Sequence, residues 1–118
     1  MKTNPVHPAF GNYPPSVIKS VSMAKEIMNA DIKDHLVLKS LARRVGTNEC
    51  TLKRCFKDLF NTTIYQYLLK QRMDKAFLLI TSSNYRLKEI AVQCGFETLS
   101  GFTTSFHKYY GIRPGDLR

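Results

Sequence analysis

Residues 87–95 read Leu87-Lys88-Glu89-Ile90-Ala91-Val92-Gln93-Cys94-Gly95, and residues 38–46 read Leu38-Lys39-Ser40-Leu41-Ala42-Arg43-Arg44-Val45-Gly46. The apolar positions, the alanine and the glycine coincide. Within each stretch the apolar residues recur three and four apart, the spacing of one helical face. The match runs on once a single extra residue is allowed after Gly95: Asn48 then meets Thr98, Leu52 meets Phe102, Phe56 meets Phe106, Lys57 meets His107, and Asn61 meets Gly111. Each copy is therefore a short helix, a glycine turn and a longer helix opened by a residue whose side chain can accept from a backbone amide. That is helix-turn-helix grammar. Ala42 and Ala91 are small enough for two helices to approach closely, and Gly46 and Gly95 suit the left-handed backbone of a sharp turn. The short helices are expected from about Leu38 to Val45 and from Leu87 to Cys94. The longer ones follow from Glu49 to about Phe60 and from Leu99 to about Tyr110. Phe102, Phe106 and Tyr109 are expected to face inward in the last of these.

Between the copies lies Thr62 to Ser83, which contains no Pro or Gly and reads as one long helix. At about 100° per residue, Ile64, Tyr65, Leu68, Leu69, Ala76, Leu79 and Ile80 share a broad arc with Met73 at its edge. Tyr67, Phe77 and Leu78 fall off that arc, so the helix is expected to pack on a second side as well. Arg72 sits inside the apolar arc. A buried guanidinium without a partner costs several kcal/mol, so a structural bond to helix-end carbonyls or to a carboxylate is expected.

Upstream, residues 1–15 contain Pro5, Pro8, Pro14 and Pro15 with Gly11 and Asn12. Proline lacks a backbone donor and fixes φ, so this segment reads as a flexible arm or linker. Ser16 can cap a helix to about Ala30, with Val17, Val21, Ala24 and Met28 on its inner face and Ile27 beside them. Val37 occupies the cap position before Leu38 and offers no side-chain acceptor. Downstream, Gly111 is a stop, and Pro114 suits the first position of a final short turn.

The 118 residues suffice for one domain or two very small ones. The 18 Lys and Arg against 9 Asp and Glu give +9, a balance that points to a polyanion, nucleic acid before membrane. Cys50, Cys55 and Cys94 show no disulfide or CxxC spacing and, without a signal peptide, suggest free thiols in a reducing cytoplasm. His7, His35 and His107 show no metal-ligand spacing, and no cofactor or metal is expected. No apolar run is long enough to span a membrane. No paired carboxylates, phosphate-binding glycine loop or nucleophile with a base is spaced for catalysis, so an enzyme is not expected.

Ile90-Ala91-x-x-Cys94-Gly95-Phe96, followed by Phe102-x-x-x-Phe106-His107-Lys108-x-x-Gly111-x-x-Pro114-x-x-Leu117-Arg118, resembles the signature of the AraC/XylS family of bacterial transcription regulators. Arg72-Met73-x-x-Ala76 and the first repeat fit the same DNA-binding domain. The resemblance covers about residues 16–118. It implies an all-α fold of about seven helices, with two helix-turn-helix subdomains joined by a long linker helix. It divides the chain into a first unit at 16–61, a linker helix at 62–83 and a second unit at 84–118. It also implies that both recognition helices enter successive major grooves of double-stranded DNA, and that Arg72 is structural. Members usually carry an effector-binding or dimerisation domain, which this chain lacks.

In the first unit the outward phases hold Glu49, Cys50, Lys53 and Arg54. Arg54 is the strongest candidate for a base contact, since its fork can take guanine O6 and N7 together. Cys50 can pack on a thymine methyl, and Glu49 can accept from cytosine or favour the helix N-terminus. In the second unit the matching positions hold Leu99, Ser100, Thr103 and Thr104. Thr104 stands where the family often has arginine, so this helix is expected to add affinity, shape reading and methyl contacts more than hydrogen-bonded specificity. Phosphate contacts are expected from the backbone amides of Asn48 and Thr98, and from Arg43, Arg44, Lys57, Lys108 and Arg113. The alternative is a helical module that binds a protein such as RNA polymerase, with incidental charge.

Overall fold

The computed structural model describes residues 13–118, and among them the chain is all-α with no strand. The helices are α1 (Pro15–Ala30), α2 (Leu38–Val45), α3 (Glu49–Phe60), α4 (Ile64–Ser82), α5 (Leu87–Gln93), α6 (Leu99–Tyr110) and α7 (Pro114–Leu117). Two compact units result. One takes the chain up to Ala30 together with Leu36–Tyr67, and the other takes Asp31–His35 together with Leu68–Arg118. Most of the expected proline-rich arm, residues 1–12, lies outside the described residues.

In the first unit α1 starts two residues earlier than a Ser16 cap would place it. Pro15 opens it and Ser16 is not its cap; the carbonyl of Pro14 accepts from the amides of Val17 at 3.0 Å and Ile18 at 3.2 Å. Proline costs nothing in the first turn, where its missing amide would have had no helical partner. Val21, Ala24 and Met28 are buried, while Val17 is only half-buried. They pack with Leu38, Leu41, Ala42 and Val45 of α2 and with Leu52, Cys55, Phe56 and Leu59 of α3. Phe60 is half-buried; its ring stands edge-on to Phe56 at 4.8 Å, and Lys25 Nζ lies 4.4 Å from its centroid. Val37 precedes α2 without capping it. Gly46, at φ +84°, turns the chain so that Thr47 donates to the Ala42 carbonyl at 2.9 Å. Asn61, at φ +57°, ends α3.

The long helix is shorter than the apolar run suggested. Thr63 Oγ1 accepts from Gln66 N at 3.0 Å while Gln66 Oε1 accepts from Thr63 N at 3.2 Å, a reciprocal cap that starts α4 at Ile64 instead of Thr62. The hydroxyls of Ser82 and Ser83 donate back to the carbonyls of Leu78 and Leu79 at its other end. Ile64, Leu68, Met73, Ala76 and Ile80 are buried, and Met73, at the edge of the arc, is completely so. Tyr65, expected on the inner arc, is 54% exposed. The expected second packed side is realised at Tyr67, whose ring meets Phe56 at 5.6 Å and whose hydroxyl donates to Asn29 Oδ1 at 2.6 Å. It is not realised at Leu78, which is 61% exposed, and only weakly at Phe77.

The core of the second unit joins Met73, Ala76 and Ile80 to Ile90, Ala91 and Cys94 of the α5 region and to Phe102 and Phe106 of α6. Tyr110, not Tyr109, completes the inner face of α6. It lies four residues beyond Phe106, its ring is 4.7 Å from that of Phe106, and its hydroxyl donates to the Met73 carbonyl at 3.0 Å; Tyr109 is left 41% exposed. Helix α5 ends at Gln93 with Cys94 as its cap, one residue short of expectation, and Glu89 Oε1 accepts from the Arg86 amide at 2.9 Å. Gly111, at φ +81°, ends α6, and Pro114 is at the start of α7.

Arg72 finds two carbonyls. Its Nε donates to Ile32 O at 2.8 Å and its Nη2 to Asp34 O at 2.9 Å, both in the turn that follows α1, and its guanidinium lies 5.9 Å from the centroid of the Phe96 ring. Gly95 sits against this group at φ +89°. A Cβ there would come within 2.9 Å of Arg72 Nε and of Ile32 O, whereas a Cβ on Gly46 would meet nothing within 4 Å. The two turn glycines therefore differ in what they tolerate. Gly46→Ala should cost about 1 kcal/mol, the conformational term alone. Gly95→Ala adds displacement of the Arg72 bonds and should cost about 3 kcal/mol. Urea unfolding of the two variants measures the difference, and equal losses would refute the role given to Arg72.

Candidate nucleic-acid interface

Helix α3 is built to present one face. Asn48 Oδ1 accepts from Thr51 N at 2.9 Å and fixes its start, and the inner face is locked in the core. Glu49, Cys50, Lys53, Arg54 and Lys57 are all exposed on the opposite side. Arg54 Nη2 donates to Cys50 Sγ at 3.5 Å, one turn earlier, so the guanidinium lies along the outer face of the helix. Arg43 and Arg44 are exposed in the last turn of α2, where cations also offset the helix dipole. A shallow cleft at the α2–α3 turn is lined by Lys39, Ala42, Arg43, Thr47, Asn48 and Glu49. Lys39 was not singled out from sequence. Its signal was its place four residues before Arg43, which puts both cations on one flank of α2.

Helix α6 has the same construction. Thr98 Oγ1 accepts from Gly101 N at 2.9 Å, and Phe102 and Phe106 are buried. Leu99, Ser100 and Thr104 are exposed, but Thr103 is half-buried and offers less of its side chain. Lys108 and Arg113 are exposed near the far end of α6 and before α7. Asn48 and Thr98 accept with their side-chain oxygens as caps, which leaves the Asn48 Nδ2 and the Thr98 hydroxyl, together with backbone amides, as donors at the two helix starts. Of the residues singled out as structural, Ala42 and Ala91 are buried to 1% exposure, and Arg72 is half-buried with its guanidinium bonded as described above.

Charge is uneven between the two helix pairs. Residues 38–60 carry six Lys and Arg against two acids, whereas residues 87–110 carry two against two. Among the described residues no group of three or more His, Cys, Asp or Glu is placed to hold a metal ion, and no helix is long and apolar enough to cross a membrane.

Residues 41–118 match the model of a helix-turn-helix domain. The chain belongs to the AraC/XylS family of transcription regulators. The C-terminal domain of the two-component response regulator yesN from Fusobacterium nucleatum is 34% identical and superposes with a TM-score of 0.77, over 82% of this chain and 95% of that one. A transcriptional regulator with an AraC-type DNA-binding domain from Chromobacterium violaceum is 27% identical with a TM-score of 0.72, over 88% and 89% of the two chains. The transcriptional regulator ArgR of Pseudomonas aeruginosa is 26% identical over 98 residues, which are 83% of this chain but 30% of ArgR. This AraC/XylS chain thus spans less than a third of the length of that relative.

The three thiols sample both helix pairs. Cys50 is exposed, while Cys55 and Cys94 are buried. Burial raises the Cys55 thiol, helped by the charge of Asp58, and burial pushes Cys94 up to about 11 against the opposing pull of Lys75 and Arg72. A thiol whose folded pKa is raised keeps its proton in the native state, so its contribution is whole below the unfolded pKa and disappears as pH rises through the folded value. The Cys94 term should therefore fall by about 2–3 kcal/mol as pH rises from about 9 to about 11. Urea midpoints across that range should drop less steeply in Cys94→Ala than in the parent. At pH 8, iodoacetamide should modify Cys50 alone in the folded protein; labelling of Cys94 there would contradict the buried thiol.

Proposed function

We propose that the chain binds double-stranded DNA sequence-specifically and regulates transcription without catalysing a reaction, with α3 as its principal reading helix. The carrying observation is the outer face of α3, where Cys50, Lys53 and Arg54 stand exposed on a capped helix whose other side is locked in the core. On this reading the units at 16–61 and 84–118 each place one helix, α3 or α6, in a major groove, the two grooves being successive, and 62–83 links them. Glu49, Cys50, Lys53 and Arg54 face bases from α3, and Leu99, Ser100, Thr103 and Thr104 do so from α6. Arg43, Arg44, Lys57, Lys108, Arg113 and the amides at Asn48 and Thr98 meet phosphates, with Lys39 added from its place in the α2–α3 cleft. A bacterial DNA target places the protein in the cytoplasm. An effector-binding or dimerisation domain belongs to the same reading, because the chain spans only 30% of ArgR.

A second reading, a surface for a protein such as RNA polymerase, draws on Leu78 and Phe77, exposed by 61% and 41% on α4.

Selection of bound duplexes from a random pool at physiological salt should enrich an asymmetric two-part motif. In Arg54→Ala the preference at one or two base pairs of one part should fall by about 1–3 kcal/mol each, while non-specific binding persists. The dependence of log K on log salt should give a slope near −0.9 per phosphate neutralised. Equal weakening on all sequences would remove Arg54 as a base reader, and no binding at low salt would move the protein-surface reading to first place.

A further inference from the structure

Helices α3 and α6 are the same device with different outer chemistry. Their caps have equal length, 2.9 Å from Asn48 Oδ1 to Thr51 N and from Thr98 Oγ1 to Gly101 N. Both end on a residue with positive φ, Asn61 and Gly111, and both bury the matching pair one turn apart, Leu52 and Phe56 in α3 and Phe102 and Phe106 in α6. What α3 presents outward, α6 therefore presents in the same places. Where α3 carries Glu49, Cys50, Lys53 and Arg54, α6 carries Leu99, Ser100, Thr103 and Thr104. On the preceding helices Arg43 is matched by Val92, which is 58% exposed, and Leu99 itself is 41% exposed.

Each kind of base edge needs a particular side chain. Guanine is read by Arg or Lys, adenine by Asn or Gln, and cytosine by an acid. None of these occupies the four outward positions of α6. Its hydroxyls can pair with several bases and discriminate little. Its remaining feature is apolar: the Leu99 side chain and the γ-methyl of Thr104, at positions that carry no charge. The apolar group that a base pair offers in the major groove is the C5-methyl of thymine. 5-Methylcytosine carries the same methyl on the same ring atom.

We infer that α6 reads C5-methyl groups of pyrimidines in the major groove, through Leu99 and Thr104, and accepts 5-methylcytosine where it accepts thymine. This rests on the DNA-binding reading above, in which α6 enters a groove. It makes the α6 half of the target site responsive to cytosine methylation.

The test uses the full chain and the duplex selected from the random pool. The half-site of α6 is the part whose preference survives Arg54→Ala. Each thymine in it is replaced singly by deoxyuridine, which removes only the methyl. Affinity should fall about fourfold per contacted thymine, the worth of one buried methyl. The loss should vanish in the double variant Leu99→Ala, Thr104→Ala, with circular dichroism and unfolding midpoint showing that the exposed substitutions leave the fold intact. Placing 5-methylcytosine in a C·G pair at the sensitive position should restore about fourfold over unmodified C·G. A two-part motif indifferent to uracil, an α6 half-site without thymine, or a uracil effect unchanged in the double variant overturns the inference alone. A one-part motif overturns it too and marks the outer face of α6 as a protein surface. Absence of duplex binding overturns it together with the reading on which it rests.

Discussion

The second unit depends on how one arginine is satisfied inside it. Arg72 projects from the apolar side of α4, where burial lowers its pKa yet leaves a group that stays charged in practice. Its Nε and Nη2 bond the carbonyls of Ile32 and Asp34, which draws the turn Asp31–His35 into this unit although the chain on either side of it belongs to the other. The constraint then passes to Gly95. With the guanidinium and the Ile32 carbonyl both within 2.9 Å of any Cβ, the turn between α5 and α6 has to approach as bare backbone. The position of α6 follows from that approach. Arg118 works similarly at the far end of α4, donating from Nη2 to Ser83 O at 2.8 Å and from Nε to Ile80 O at 3.3 Å. Two arginines thus bond carbonyls that helices and turns leave open, a use for which the five-donor fork is suited.

Much of this was legible because apolar spacing and stop residues act locally. The repeat placed the paired helices, Asn48 and Thr98 announced their caps, and Gly46, Asn61 and Gly111 announced the reversals. What was missed depended on pairs. The Thr63–Gln66 cap needs two side chains three residues apart, and an apolar count overlooks it. Pro15 inside α1 looked like part of a proline-rich arm, because four prolines in fifteen residues outweighed the tolerance of a first turn. Tyr109 and Tyr110 differ by one residue and 100°, and the partners that select Tyr110 include the carbonyl of Met73, 37 positions away, and the ring of Phe77. Arg72 was expected to meet a carbonyl or a carboxylate, and the choice was invisible because its partners are main-chain atoms 38 and 40 residues distant.

The outer faces obey another rule. Inner residues of the two repeats are constrained by packing, so Leu52 and Phe102, or Phe56 and Phe106, remain recognisable copies. Outer residues are free of that constraint, since a solvent-facing substitution on a capped helix changes stability little. Their divergence is therefore available for recognition. It also explains why the face of α3 could be read for function from sequence while that of α6 offered less: Arg54 has few partners that fit its fork, and threonine has many.

The charge distribution follows the same division. If cations merely kept the protein soluble, nothing would concentrate them on one helix pair; yet residues 38–60 hold six of them against two acids, and the equivalent residues 87–110 balance. A neutral second pair adds little to the sequence-independent attraction that grows with every phosphate neutralised. Whatever it contributes must then come from short-range contacts that depend on which base pair is met. On the proposed reading α3 then supplies both the charge that holds a duplex and the Arg54 fork that reads it, and α6 is left with short-range contacts at its uncharged outward positions Leu99, Ser100, Thr103 and Thr104, within a fold that repeats one helical device twice.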